Sequence, residues 1–477
     1  MKKESRNKYL IKNTLIFSIG NFGSKLITFF LVPFYTNILT VEEYGTIDLV
    51  TTVGTILLPI ISLNISEAVM RFSMDKNSDD RQIINIGFLF FLIACAISLV
   101  MIPAFAFWNI TSNFSTFLSL YLISMTSSTI FMCYVRGKEE LLFYSVMGLV
   151  QTFLIAILNI LFLVKFSLGI KGYLLSYIIS HFIVSFAIII KENLIKKVSF
   201  KKLDKKVLKD MLKYSILLIP NSLMWWIMNS LDKVMVTYLI NIESNGIYAV
   251  SYKIPSIVIT FTTIFNQAWL FSAVKEKESK DKNEYTNSVY NSLNFAITLS
   301  TVLLLFILKP LMKVYVGESF YEAWRYVPPL LIGTLFLTLG SFIANEYSAS
   351  KDSNGFLKSS IIGAVLNVIL NSILIPKIGI MGASLATCVS YIGVFIYRID
   401  DTKKYVKIKY LTKNKIMNFI ILLVMAISTY VNQKYVIIIQ LFLIIFVIFA
   451  NRGSFQLIYK KIFNKIITKK EVSNDNR

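Results

Sequence analysis

Long apolar runs separated by short polar segments cover most of the chain. The runs are about 20 residues long, the length of a helix that crosses the hydrocarbon core of a bilayer. Charges and turn residues mark the end of each run, and they place the helix boundaries to within several residues. The pattern predicts fourteen spanning helices, at roughly 12–38, 44–70, 83–107, 115–136, 141–164, 169–190, 211–240, 246–272, 287–308, 326–348, 356–376, 379–398, 415–431 and 435–450. The last pair is the shortest, so twelve spanning helices are the alternative. The fold class predicted is an all-α polytopic membrane protein.

Basic residues accumulate on one side of these predicted helices. Of 49 Lys and Arg residues, 39 fall in the terminus, loops and tail of one side, 7 fall on the other side, and Lys25, Lys233 and Lys253 fall within helices. Cytoplasmic loops carry the excess of Lys and Arg in membrane proteins. We therefore expect both termini in the cytoplasm and a retained first helix instead of a cleaved signal peptide.

Two weak internal repeats suggest that the chain contains two similar halves. A shift of 201 residues places Thr36, Glu42 and Gly45 on Thr237, Glu243 and Gly246, and a shift of 210 places the Gly169 and Gly172 pair on Gly379 and Gly382. An even number of helices per half makes the duplication parallel. The predicted organisation is an N-terminal six-helix lobe at 1–200, a C-terminal six-helix lobe at 201–400, an extra helical pair at 401–450 and a basic cytoplasmic tail at 451–477.

Composition narrows the functional class. The chain is 55% hydrophobic and 16% charged, and a soluble domain usually carries about a quarter charged residues. No Gly-rich phosphate-binding motif occurs, the three cysteines lie in apolar stretches, and the single histidine, His181, is expected to be a hydrogen-bonded core residue. We expect no catalytic residues, no metal, no cofactor and no nucleic-acid partner.

Charged side chains inside the predicted helices are the main candidates for function, because burying a charge in a bilayer is costly. Lys25 lies near the middle of helix 1, and Lys253 lies about two turns inside helix 8. Both are expected to face a polar cavity. Asp232 and Lys233 are adjacent on helix 7, so they point about 100° apart and each needs another partner. For Asp232, Lys253 is a plausible partner.

Three further acids have two interpretations. Glu67 and Arg71 are four residues apart, a spacing typical of a local ion pair. Asp48 is expected in the first turn of helix 2, where an acid stabilises the helix dipole. Glu346, near the inner end of helix 10, is either part of a charge pair or, with Asp232 and Glu67, an ion-coupling residue.

Prolines punctuate the leading helices of each predicted lobe. Pro33 and Pro59 fall in helices 1 and 2, and Pro220 and Pro255 fall in helices 7 and 8. Because proline frees a backbone carbonyl, we expect these positions to bend the helices.

The motifs over about residues 8–400 resemble a known family. These motifs are Asn13 with Gly20-Asn-Phe-Gly-Ser-Lys25, Val32-Pro-Phe-Tyr-Thr36 and Glu43-Tyr-Gly45; Asn229-Ser-Leu-Asp232-Lys233 with Asn245 to Lys253; and Asn367, Asn371, Pro376 and Gly379-Ile-Met-Gly382. The chain resembles the Wzx-type flippases of polysaccharide repeat units, within the multidrug/oligosaccharidyl-lipid/polysaccharide exporter superfamily.

The resemblance implies a function, a location and partners. It implies two lobes around a central cavity, and alternating-access export of an undecaprenyl-diphosphate-linked oligosaccharide across the bacterial cytoplasmic membrane, for capsule or O-antigen synthesis. It also implies contact with membrane lipids, and with a polysaccharide polymerase and other assembly proteins as candidate partners. By position in the family motifs, Lys25 and Lys253 are the cations expected to meet the diphosphate or acidic sugars.

Polar and aromatic residues extend this predicted path. Amides at Asn21, Asn221, Asn229, Asn266 and Gln267 can bind a hydrated head group, and Tyr35, Trp225, Trp226 and Tyr252 can stack on sugars. Two alternatives remain open: an ion-coupled drug or cation exporter of the same superfamily, and a membrane-bound polysaccharide polymerase or ligase.

Overall fold

The structure is a computed structural model that describes residues 3–75, 79–108, 110–198, 203–275, 279–350, 352–431 and 434–453. Helices form nearly all of it, and no strand occurs among these residues. The helices up to the first long basic segment are α1 (Lys3–Ile38), α2 (Val41–Ile61), α3 (Ile65–Ser73), α4 (Asp80–Val100), α5 (Ile102–Phe107), α6 (Ser115–Gly137), α7 (Leu141–Asn159), α8 (Gly169–Lys191) and α9 (Leu194–Lys197).

The second half of the chain repeats this all-helical organisation. Its helices are α10 (Lys205–Leu239), α11 (Ile242–Ser251), α12 (Lys253–Lys275), α13 (Lys282–Tyr315), α14 (Val327–Ser350), α15 (Ser353–Ile378), α16 (Ile380–Asp401), α17 (Lys413–Ser428) and α18 (Lys434–Ala450). Every predicted span therefore contains helix, and the all-α prediction is confirmed. The predicted tail beyond residue 453 and part of the basic linker, 199–202, lie outside the described residues.

Nine helical stretches in the described part of the chain are long and apolar enough to cross a membrane, and the bent pair α11–α12 makes a tenth. The final helix, α18, is apolar but shorter, and its described apolar stretch runs from Tyr435 to Ala450. Many of its large side chains are exposed, including Ile438, Phe442, Ile445 and Phe449. Apolar exposure on this scale fits a lipid environment better than water.

Local sequence signals explain several helix ends. Thr40 precedes α2 and forms a capping box with Glu43: the Glu43 amide donates to Thr40 Oγ1 at 3.2 Å, and the Thr40 amide donates to Glu43 Oε2 at 3.0 Å. Gly169 and Gly379, equivalent at the 210-residue shift, both have positive φ, at +53° and +63°. Each stands at the start of a helix, where the backbone turns in a way that glycine adopts at little cost.

Helix breaks are more frequent than the apolar pattern predicts. The single helix expected at 44–70 is instead α2 and α3, separated at Leu63 and Asn64, which both have positive φ. Helix α2 also begins three residues earlier than predicted, at Val41, so Asp48 is its eighth residue and lies outside the first turn, which Glu42 and Glu43 occupy. Near Pro255, where a bend is expected, α11 and α12 meet at an angle of 44°, and α12 begins two residues before the proline.

By their contacts, the residues form two compact units. Unit 1 contains Met1–Val250 and Val316–Phe320, and unit 2 contains Ser251–Tyr315 and Tyr321–Arg477. An apolar cluster that includes Ile65, Phe131 and Tyr134 forms part of the core of unit 1. The predicted lobes, 1–200 and 201–400, follow the sequence repeat and stay a prediction.

Candidate functional site

The two turns that the 201-residue repeat relates lie against each other within unit 1. A methyl group added at Gly45 would lie 2.2 Å from the carbonyl oxygen of Ile242, and one added at Gly246 would lie 2.3 Å from the carbonyl oxygen of Val41. These two contacts are equivalents, because the 201-residue shift carries Val41 onto Ile242 and Gly45 onto Gly246. We call this arrangement the reciprocal glycine contact.

Helix boundaries follow the same repeat. Helix α1 ends at Ile38 and α2 begins at Val41, whereas α10 ends at Leu239 and α11 begins at Ile242, again 201 residues apart. The repeat thus predicts local structure as well as residue type. The Asn245 side-chain amide adds a hydrogen bond to the carbonyl oxygen of Gly45 at 3.0 Å.

A short segment of the chain, Val316–Phe320, packs beside the α1–α2 turn. The Gly317 amide donates to Thr36 Oγ1 at 3.0 Å, and a methyl group at Gly317 would lie 2.1 Å from the Thr36 carbonyl oxygen. Phe320 contacts Tyr44 edge to face, with ring centroids 5.4 Å apart. The turn that carries Gly45 is therefore supported on two sides by close backbone contacts.

Helix α10 brings charged groups to α2. Lys233 Nζ lies 2.9 Å from Asp48 Oδ1, and both side chains are largely buried. The adjacent Asp232 is 1% exposed and accepts a hydrogen bond from the Tyr248 hydroxyl at 2.6 Å. The prediction that Asp232 and Lys233 have separate partners is confirmed, whereas the pairing of Asp232 with Lys253 stays a prediction.

A tryptophan of α10 adds hydrogen bonds to α2. Trp226 Nε1 donates to the Thr52 carbonyl oxygen at 3.0 Å and to Thr55 Oγ1 at 3.1 Å. Its ring is half-buried, whereas that of the neighbouring Trp225 is 37% exposed. Of the two tryptophans, Trp225 offers more ring surface for stacking.

The remaining predicted path residues of unit 1 lie in α1 and α10. Lys25 is exposed on α1, and the side chain of Asn21 lies outside the described residues. Asn229 is half-buried and donates to the carbonyl oxygen of Trp225, four residues earlier in its own helix. The expectation that Tyr35 offers a stacking face is wrong, because Tyr35 is buried and its hydroxyl accepts a hydrogen bond from Asn159.

Unit 2 contains a lysine just after the 44° bend and two buried asparagine amides on α15. Lys253 is half-buried as the first residue of α12, and the Tyr252 hydroxyl lies 3.5 Å from Thr387 Oγ1. Asn367 donates to the same Thr387 oxygen, and Asn371 donates to Asn367 at 2.9 Å. This ordered polar chain is placed by α15 and α16.

The predicted acids at 67 and 346 have different surroundings. Glu67 is half-buried on α3, and among the described residues it forms no ion pair with Arg71, which is exposed. Glu346 is fully buried on α14, and Lys282 Nζ of α13 lies 2.9 Å from its Oε2.

The histidine expected in a core is indeed a core residue. His181 is 6% exposed, and its Nδ1 lies 3.2 Å from Ser124 Oγ. Tyr121 and Tyr177 pack beside the ring, with centroids 6.0 Å away. The signal for this environment was the apolar sequence on both sides of His181.

Sequence reasoning missed the partnership of Asp48 and Lys233. Neither residue has a repeat equivalent that is charged, and 185 residues separate them, so no spacing rule connects them. The only available signal was that each is a charge within a leading helix of its half.

Three kinds of comparison relate this chain and its fold to known proteins. A family model described as "Polysaccharide biosynthesis protein" matches residues 10–271, more than half of the chain. A probable low-salt glycan biosynthesis flippase of Haloferax volcanii is 25% identical over 44% of this chain and 46% of its own length. An uncharacterized membrane protein of Methanocaldococcus jannaschii is 23% identical over 49% of this chain and 48% of its own. The chain thus spans about half the length of these two relatives, and it spans 99% of a second M. jannaschii membrane protein at 24% identity.

Solved structures share the fold at low identity. A lipid II flippase, MurJ, in an inward closed conformation has a TM-score of 0.66 at 16% identity, covering 94% of this chain and all of its own. A MATE transporter of Vibrio cholerae has a TM-score of 0.56 at 14% identity, covering 84% of this chain and 98% of its own. The protein has a transporter-like fold, spans the membrane several times and belongs to the polysaccharide biosynthesis protein family.

Proposed function

We propose that this protein is a flippase for an undecaprenyl-diphosphate-linked oligosaccharide in surface polysaccharide synthesis. It moves the repeat unit from the inner to the outer leaflet of a bacterial cytoplasmic membrane, with both termini in the cytoplasm. Its two lobes, 1–200 and 201–400, open alternately to the two sides. Membership of the polysaccharide biosynthesis family and the similarity to a glycan biosynthesis flippase support a lipid-linked sugar as cargo.

The reciprocal glycine contact is the observation that carries the proposal. In alternating access, equivalent elements of two repeats meet on the closed side and separate on the open side. The contact between the turns at Gly45 and Gly246 is made backbone to backbone, so it separates without disentangling large side chains. With the N-terminus inside, both turns would lie at the outer face, and their contact supports a state in which the leading helices are closed on that side.

Charge and polarity along the leading helices fit an anionic cargo. A lipid-linked sugar has a hydrated, negatively charged head and an apolar tail, so its head needs a polar path while its tail stays in lipid. We assign Lys25 and Lys253 to the diphosphate, Asn21 and Asn229 to the head-group path, and Tyr252 to sugar contact. Asp232, Glu67 and Glu346 are the acids available for ion coupling.

The test is translocation by purified protein in proteoliposomes loaded with a polyprenyl-diphosphate oligosaccharide. Exposure of the sugar to an added glycosidase should be faster than in protein-free vesicles. Lys25→Ala and Lys253→Ala should slow it roughly tenfold or more, because each loses a charge-assisted contact. Lys→Arg variants should keep part of the rate, since the charge remains.

Matched controls and outcomes separate the alternatives. Lys313→Ala, an exposed lysine near the end of α13, should keep the wild-type rate at equal abundance. Sugar exposure no faster than in protein-free vesicles contradicts the flippase. Export of cationic dyes would favour the drug exporter, and growth of the sugar chain would favour the polymerase or ligase. If both alanine variants act like wild type, the cationic path is wrong.

A further inference from the structure

A basic segment between α16 and α17 is held on the surface of unit 2 by an ordered set of hydrogen bonds. We call residues 405–410 the lysine strap. The Lys407 amide donates to Asn283 Oδ1 at 3.0 Å, and Asn287 Nδ2 donates to the Lys407 carbonyl oxygen at 3.1 Å. The Lys409 amide donates to Asn287 Oδ1 at 2.9 Å. Asn287 therefore binds the strap as a neighbouring β-strand would, through the carbonyl of one residue and the amide of the second residue after it.

Both ends of the strap are also fixed. Lys282 Nζ donates to the Tyr405 carbonyl oxygen at 3.1 Å, and the Tyr405 hydroxyl donates to Asp352 Oδ2 at 2.7 Å. The amide of Gly355 and the Tyr405 hydroxyl lower the pKa of Asp352 to about 2, so this acceptor is ionised at neutral pH. At the other end, the buried Lys415 donates to the Lys409 carbonyl oxygen.

Side chains along the strap alternate between the protein and the exterior. Val406 is 2% exposed and Tyr410 is 4% exposed, whereas Lys407 and Lys409 are exposed. Alternation with a period of two is what an extended segment produces. The strap thus buries its apolar residues and presents its lysines outward from a fixed backbone.

Among the described residues, acids pair with the two lysines that precede the strap but with none of the lysines on it. Lys403 pairs with Asp400 at 2.6 Å, and Lys404 pairs with Asp401 at 3.0 Å. For Lys407, Lys409 and Lys413, no acid lies within ion-pair distance among the described residues. Exposed apolar side chains follow immediately, at Leu411, Ile416 and Met417.

We propose that the lysine strap and the start of α17 form a binding site for anionic phospholipid head groups. A row of lysines with no acidic partner in the described part of the chain, directly beside exposed apolar side chains, matches the boundary where phosphates meet acyl chains. Because the asparagines already fix the backbone, binding orders only the lysine side chains. This proposal rests on the protein spanning a membrane, and it does not rest on the proposed transport function.

The probe is phosphatidylglycerol bound to full-length protein in detergent, measured by native mass spectrometry against phosphatidylcholine. Replacing Lys407, Lys409 and Lys413 together with Gln should weaken phosphatidylglycerol binding at least tenfold, since each lysine near anionic lipid contributes about fivefold. The matched control replaces Lys171, Lys313 and Lys377, three exposed lysines outside the strap, with Gln. It should leave the affinity for phosphatidylglycerol within about twofold of the wild-type value. Equal binding by the two triple variants would overturn the proposal.

A second variant tests the fixed backbone. Asn287→Ala keeps all three lysines but removes two strap hydrogen bonds, and it should weaken phosphatidylglycerol binding by roughly threefold to fivefold. Unchanged affinity would contradict the role of the strap. A polyprenyl diphosphate is the competing ligand: if it binds through these lysines and phosphatidylglycerol does not, the surface serves the cargo and the phospholipid site is wrong.

Discussion

Asp48 of α2 and Lys233 of α10 form a largely buried ion pair, with side chains 10% and 16% exposed. In such surroundings, the attraction between two charges does little more than offset their loss of hydration. Removing one charge is different, because its partner is left buried and uncompensated. The association of α2 with α10 is therefore sensitive to the loss of either side chain alone.

Asp48→Asn and Lys233→Met should each destabilise the protein by about 3 kcal/mol, and the double variant should recover most of that loss. The midpoint of thermal unfolding in detergent measures the effect. Glu140→Gln, which breaks the exposed pair with Lys191, is the control and should cost about 1 kcal/mol or less. Additive losses in the double variant would show that the two charges act independently.

Asp232 has a structural and a coupling interpretation that differ in an observable way. If it neutralises Lys253, then Asp232→Asn should lower abundance, and adding Lys253→Ala should restore folding. If it exchanges an ion during transport, Asp232→Asn should fold normally and lose dependence on the ion gradient, without rescue by the second change. Tyr248→Phe is the control, because it removes the hydroxyl that donates to Asp232 and leaves the Asp232 carboxylate in place. Gradient-dependent export at the wild-type rate in Asp232→Asn would contradict both interpretations and leave Glu67 and Glu346.

At the scale of elements, the α1–α2 and α10–α11 turns depend on glycine at two equivalent positions. Gly45→Ala or Gly246→Ala places a methyl group within about 2.3 Å of a carbonyl oxygen, closer than any real contact, so the turns cannot meet as they do here. We expect either variant to abolish export and to increase the reactivity of a cysteine introduced nearby, at Asn245. At Gly148 on α7, a methyl group would lie 3.8 Å from Met132, so Gly148→Ala is the matched control with normal export. Normal export by Gly45→Ala would mean that this contact is dispensable.

Helix ends and turns were predictable from the sequence where a local rule of residue type and spacing governs them. The glycine turns at 169 and 379 and the equivalence of Gly45 and Gly246 follow from residue type and spacing. The Thr40–Glu43 capping box obeys the same kind of local rule, although we made no prediction of it. The break at Leu63 and Asn64 did not follow from the apolar pattern, which continues on both sides of it: Asn64 is a residue type that tolerates positive φ, but Leu63 is not. Partners far apart in sequence, such as Asp48 and Lys233, depend on tertiary packing and leave no local signal.

At the scale of the molecule, the repeat and the distribution of charge are independent sources of information. The repeat relates α1–α2 to α10–α11, and the fold is shared with flippase and MATE structures over most of the chain. The charge count adds an expected direction that helix geometry alone does not contain, because 39 cations fall on one side of the predicted helices and 7 on the other. In the proposed mechanism, orientation decides which face the reciprocal glycine contact would close.

Orientation can be tested with single cysteines in a background without Cys95, Cys133 and Cys388. Lys205→Cys and Lys280→Cys should resist a membrane-impermeant thiol reagent in intact cells, whereas Asn113→Cys and Glu243→Cys should react. All four positions are exposed, so a difference in labelling reports the side of the membrane and not burial. Permeabilised cells are the control, and all four should then label. Labelling of residues 205 or 280 from outside would reverse the topology, and the reciprocal glycine contact would then close the cytoplasmic face.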